Sequence, residues 1–259
     1  MVGKGYTTGM PAPGPEPVPD QDRQRTLLSY ALLTGLTLLI PVPFADDLAK
    51  GHLRRRLVHR LARAHGRDLS EDTLQALARG EQTSRGCLGG CLIGTLLYPL
   101  KKVFRKVFFF LEWKRAVDLT SHTYHWGYLL DYALGEGLVG PATAAGDGGS
   151  GSPGADDLRR AIERACQEVP LRPLERAVGA TLRQSRGVLL SAAHGIGMRL
   201  RGAAGPAEEQ TVFGITEPGQ DEQVGGVAAL LQRRIASAVP EAHFRELRER
   251  FRAHLPGRT

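Results

Sequence analysis

Cysteine is scarce in this chain. Its 259 residues hold three, Cys87, Cys91 and Cys166, too few for a disulfide framework. Cys87 and Cys91 sit four apart in Cys-Leu-Gly-Gly-Cys, one helical turn. They read as small residues at a helix contact rather than as metal or redox ligands. Such usage fits a reducing compartment. Aromatic residues are sparse, at 6%, and only 6 of the 34 basic residues are lysines. The first twenty residues have no apolar signal-peptide core and contain the run Pro-Ala-Pro-Gly-Pro-Glu-Pro-Val-Pro. Catalytic motifs are missing as well. Neither Ser185 nor Ser191 lies in a Gly-x-Ser-x-Gly elbow, and Gly195-Ile-Gly-Met lacks the strand that a dinucleotide loop requires. The chain therefore reads as a non-enzymatic protein without a cofactor or resident metal.

What is present is ordinary globular usage, 42% hydrophobic and 24% charged, with a net charge of +7. The charge is not spread evenly. Residues 46–120 carry 15 basic and 8 acidic groups, an excess equal to that of the whole chain. Gly and Pro cluster in breaks. These divide the chain into a disordered Pro-rich tail over 1–22, a basic and apolar helical domain over 23–139, a flexible Gly/Ser/Pro linker over 140–155, and a C-terminal helical region over 156–259.

Between the breaks the apolar spacing is helical, with a possible short strand only at Gln210–Thr216. The fold class expected is all-α: a helical bundle with two apolar helices, followed by a smaller helical part. The first apolar segment, Leu27 to Phe44, ends as a helix near Leu39 because of Pro41 and Pro43. Asp46 or Asp47 then caps a basic helix to about His65, closed by Gly66. Ser70 begins a short helix through Ala78. The second apolar segment, Cys87 to Leu100, runs into Lys101, Lys102, Arg105 and Lys106. C-terminal helices are expected over Asp156–Glu168, Leu174–Arg201, Val227–Ala238 and Glu241–His254.

Spanning a bilayer takes about 20 apolar residues. The two segments offer 18, broken by prolines, and 14. Crossing twice would also put Arg54-Arg55-Arg56 opposite Lys101 and Lys102, against the positive-inside rule. Interfacial packing and burial in a soluble core both avoid this conflict. From residue 101 to 118, Lys102, Arg105, Lys106, Phe109 and Trp113 share one helical face opposite an apolar one, a pattern suited to a membrane interface. The candidate site for anionic lipid therefore comprises Arg54, Arg55, Arg56, Arg60, Lys101, Lys102, Arg105, Lys106, Phe109 and Trp113.

Leu38-Leu-Ile-Pro-Val-Pro-Phe-Ala-Asp-Asp, the basic amphipathic helix after it, and Leu61-Ala-Arg-Ala-His-Gly resemble a domain of unknown function. That domain occurs in YcjF-type bacterial inner-membrane proteins and beside some Era-like GTPases. The likeness covers residues 27–80. It implies a helical, membrane-linked module at the cytoplasmic face of a bacterial inner membrane, or in the cytoplasm, with a possible protein partner and no established catalytic residues. The chain departs from the GTPases in lacking Gly-x-x-x-x-Gly-Lys-Ser/Thr.

Two other readings use the same residues. The Arg clusters suit nucleic acid, but without a helix-turn-helix, zinc or stacking-sheet signature. His122 and His125, at i and i+3, suit a metal-dependent helical enzyme if His52, His59 or His65 came near. Tyr124, Tyr128 and Tyr132 recur every four residues beside Trp126. They form either a helix–helix contact with bonded hydroxyls or an interfacial aromatic belt.

Overall fold

The computed structural model describes residues 20–39, 45–79, 105–139, 153–202 and 222–256. Every element among them is a helix: α1 (Asp20–Thr37), α2 (Ala45–Ala64), α3 (Glu71–Ala78), α4 (Arg105–Gly135), α5 (Ala155–Glu168), α6 (Arg172–Gln184), α7 (Arg186–Gly202), α8 (Glu222–Ala238) and α9 (Glu241–Ala253). The all-α expectation holds. The second apolar segment, the stretch 140–152 and the possible strand at 210–216 lie outside the described residues.

α1 explains its own composition. Every residue from Leu27 to Thr37 is buried, because α2, α4, α7 and α8 all pack on this helix. A helix covered on all sides can be apolar all round. Each fully buried Leu stabilises the fold by roughly 1.5–3 kcal/mol relative to exposure. The three aliphatic hydroxyls in that stretch bond to the helix's own carbonyls: Ser29 to Arg25, Thr34 to Tyr30 and Thr37 to Thr34. The described part of the first apolar segment is thus core.

α4 runs unbroken for 31 residues, about 46 Å at 1.5 Å per residue. It lies antiparallel to α1 and touches it closely at two glycines. Gly35 of α1 sits against Thr120 and the Ala116 carbonyl, and Gly127 of α4 sits beneath Leu27. Neither position has room for a Cβ.

Helix ends follow local chemistry. α2 closes at Gly66, whose φ of +66° disfavours a side chain. Arg67 N–H donates to the Ala62 carbonyl and Gly66 N–H to that of Arg63, both at 2.9 Å. α4 closes the same way at Gly137, φ +76°. There Leu138 donates to Ala133 at 3.0 Å and Gly137 to Leu134 at 3.2 Å. The two caps are joined, since Arg67 donates to the Val139 carbonyl at 2.5 Å. The expected cap of α3 is present, with Thr73 N–H donating to Ser70 Oγ at 3.3 Å.

The stretch 174–201 differs from expectation. It is two helices meeting at Ser185, where φ is −98° and ψ is 15°. Hydrogen bonding continues through the joint, from Ser185 N–H to Thr181 and from Leu189 N–H to Ser185. Buried positions Val178, Leu182, Ser185, Leu189, Ala192 and Ile196 keep one stripe across it. Hydrophobic period alone therefore shows no break.

Helices on either side of the 140–152 stretch share one hydrophobic core. α5 packs on α3, α4 and α9. α6 packs on α4 and α8, and α8 packs on α1.

Candidate functional site

The α2 arginines are partly engaged inside the protein. Arg54 lies over the Trp126 ring at 4.0 Å and faces Glu163 of α5 at 3.6 Å. Glu163 also accepts from Arg159 at 2.8 Å. Arg54 thus joins α2, α4 and α5. Arg55 is exposed and pairs with Glu71 at the start of α3. Arg56 is partly buried, and Arg60 is exposed. Of the four, Arg54 points its guanidinium away from any external surface.

The amino-terminal end of α4 is different. Residues 111 to 115 precede Ala116, where α4 meets Gly35 of α1. On this length Leu111, Lys114 and Arg115 are exposed. They stand at i, i+3 and i+4 and form one face. Trp113, on the opposite side of the helix, packs against the core. Arg105, Lys106 and Phe109 lie on the same helix, and Val107 one turn before Leu111. Lys101 and Lys102 lie outside the described residues. Sequence reasoning grouped Trp113 with the basic face and Leu111 with the apolar face opposite it, and passed over Lys114 and Arg115. Their spacing was legible, but which side of α4 packs inward was not.

The tyrosine ladder is a helix–helix contact. Tyr124 is buried and accepts from Gln24 of α1 at 3.1 Å. Burial pushes its hydroxyl pKa up to about 12. Tyr128 and Tyr132 accept from Arg248 and Arg252 of α9. Their rings meet Phe244 and Phe251, at centroid distances of 4.9 Å and 6.2 Å. Trp126 is buried too.

Beside this ladder, His125 Nε2 lies 2.8 Å from His243 Nε2 of α9. One ring must donate and the other accept. His125 Nδ1 is buried without a hydrogen bond. A buried bare acceptor costs less than an orphaned N–H, so we assign the proton to His125 Nε2, donating to His243. Desolvation, then the two nearby histidines His243 and His122, lower the His125 pKa to about 3. Both rings are neutral at neutral pH. His243 is 118 residues away from His125 in sequence, and no local signal announces it.

His52, His59 and His65 have other surroundings. His65 bonds Asp131 at 2.8 Å, with Arg23 of α1 at 3.4 Å from the same carboxylate oxygen. Burial, then Arg56 and Arg55, lower the pKa of His52 to about 4. Burial also lowers that of His59. Among the described residues no group of three His, Cys, Asp or Glu side chains is placed to hold a metal ion. No described helix is long and apolar enough to cross a membrane.

No protein-family model, curated protein or solved structure matches this chain. The functional reading therefore rests on its own residues.

Proposed function

We propose that this is a non-enzymatic, membrane-associated helical protein that meets an anionic lipid surface with the amino-terminal end of α4. One observation carries the reading: Leu111, Lys114 and Arg115 are exposed together near the amino-terminal end of α4. An apolar side chain flanked by cations suits the boundary between acyl chains and head groups. Each cation near an anionic leaflet contributes about 1 kcal/mol. Arg105, Lys106 and Phe109 belong to the same helix, and Lys101 and Lys102 immediately precede it in sequence. The YcjF-type resemblance over residues 27–80 points to the same setting, the cytoplasmic face of an inner membrane. Arg54 is left out of this surface, and so is Arg60, because α2 meets the other half of α4 through Leu57 at Gly127 and His65 at Asp131.

Flotation with vesicles tests the reading. The full chain is expected to float with phosphatidylglycerol vesicles and less with phosphatidylcholine. Lys101/Lys102/Arg105/Lys106→Ala should lose most of that recovery, and Leu111→Asp part of it. Equal recovery on both lipids, unchanged by the variants, overturns the proposal.

A further inference from the structure

A second cationic feature lies on α6. Arg172, Arg176 and Arg183 stand at i, i+4 and i+11, one stripe on the side of the helix opposite its buried Leu174, Val178 and Thr181. All three are exposed. With Glu175 and Gly179 they line a groove of about 280 Å³. At about 30 Å³ per water molecule, it holds the equivalent of roughly nine waters, enough for a phosphoryl group with part of its hydration. Gly179 is buried, and a Cβ added to it would stand 3.8 Å from the Val117 side chain of α4. The groove is therefore set beside a rigid helix pair, and exposed Lys114 stands one turn before Val117.

Helix stability accounts for only part of this stripe, since Arg183 alone stands in the last turn, where the macrodipole favours cations. Arg172 opens the helix, where the macrodipole favours anions over cations. The only acid on α6 is Glu175. Among the described residues, none of the three arginines has an ion pair with a carboxylate. Guanidinium forks along one groove suit phosphate oxygens; Arg172 and Arg176 stand about 6 Å apart along the axis, and Arg183 about 10 Å further on.

We propose that this groove binds a phosphate-bearing anion, either a free phosphate or a phosphomonoester head group. The proposal does not depend on the role given to α4. Its test uses the full chain, inorganic phosphate measured by calorimetry, and vesicles containing phosphatidic acid. Arg172/Arg176/Arg183→Ala is compared with wild type, and circular dichroism checks that helicity is kept. Because the arginines are exposed, the variant is expected to fold.

Saturable phosphate binding, weakened about tenfold or more in the triple variant, supports the groove. Weakening on phosphatidic acid vesicles alone also supports it and assigns the head group as the source. The Lys101/Lys102/Arg105/Lys106→Ala variant should keep phosphate binding even where it loses phosphatidylglycerol vesicles, which separates the two proposals. Wild-type binding in the triple variant overturns the groove. So does a loss confined to a labelled DNA duplex, which would make the stripe a nucleic-acid contact. No saturable binding to phosphate or phosphatidic acid also overturns it.

Discussion

His125 and His243 meet in the interior with Nε2 atoms 2.8 Å apart, joining α4 to α9. The contact fails once both rings are protonated, because two buried imidazolium ions would repel across it and neither could accept. It sits among the apolar contacts of Phe244, which touches Tyr124, Tyr128 and His243.

Acid should therefore destabilise the fold. In the unfolded chain histidine titrates near pH 6.5. His125 is lowered to about 3, and burial lowers His243 as well. Their contribution is complete above about pH 6.5 and declines as pH falls from there toward 3. For His125 alone the slope is about 1.4 kcal/mol per pH unit. Urea denaturation at pH 7.5, 6 and 5 measures it, and His125→Asn should flatten the dependence. Equal stability across that range contradicts a neutral buried pair.

The α1–α4 contact makes opposite predictions for different glycines. Gly35→Ala and Gly127→Ala place a methyl where Thr120 or Leu27 already sits. Each should lower stability by about 1–3 kcal/mol. Gly51 and Gly187 are also helical but have nothing within 4 Å of an added Cβ. Alanine there should be neutral or raise stability by up to about 1 kcal/mol. Thermal melts of the four variants check the contrast.

Two glutamates paired with neighbouring arginines should differ in weight. Glu163 faces partly buried Arg54, so Glu163→Ala leaves that guanidinium over Trp126 without its carboxylate. A loss of about 2 kcal/mol is expected, below the full cost of breaking a deeply buried pair. Glu71 pairs with Arg55 on the surface. Glu71→Ala should cost under about 0.5 kcal/mol, apart from its place in the first turn of α3. Similar losses in both would argue against the inward role of Arg54.

Cys166 should be inert in the folded protein. It is buried, and desolvation pushes its thiol up to about 12. In a Cys87→Ser/Cys91→Ser variant, a thiol reagent at pH 8 should label nothing until denaturant is added. Rapid native labelling would show that α5 opens away from the core.

Much of the helical layout was readable along the chain. Ser70 as a cap, Gly66 as a stop, and the Phe244, Leu247 and Phe251 stripe all depend on contacts within a few residues. The break at Ser185 escaped because the apolar stripe crosses it without changing phase. The tyrosine spacing left two readings open, and α9 closes the choice by bringing Arg248 and Arg252 to the hydroxyls.

Local spacing sufficed to establish an all-helical chain and the position of its excess charge, since helix periodicity and capping act over three or four residues. Packing assigned each side chain its surroundings. It turned Arg54 onto Trp126, turned Trp113 inward and Leu111 outward, and paired His125 with a ring 118 residues away. Those outcomes depend on which helices lie against each other, a relation that no short window of sequence contains.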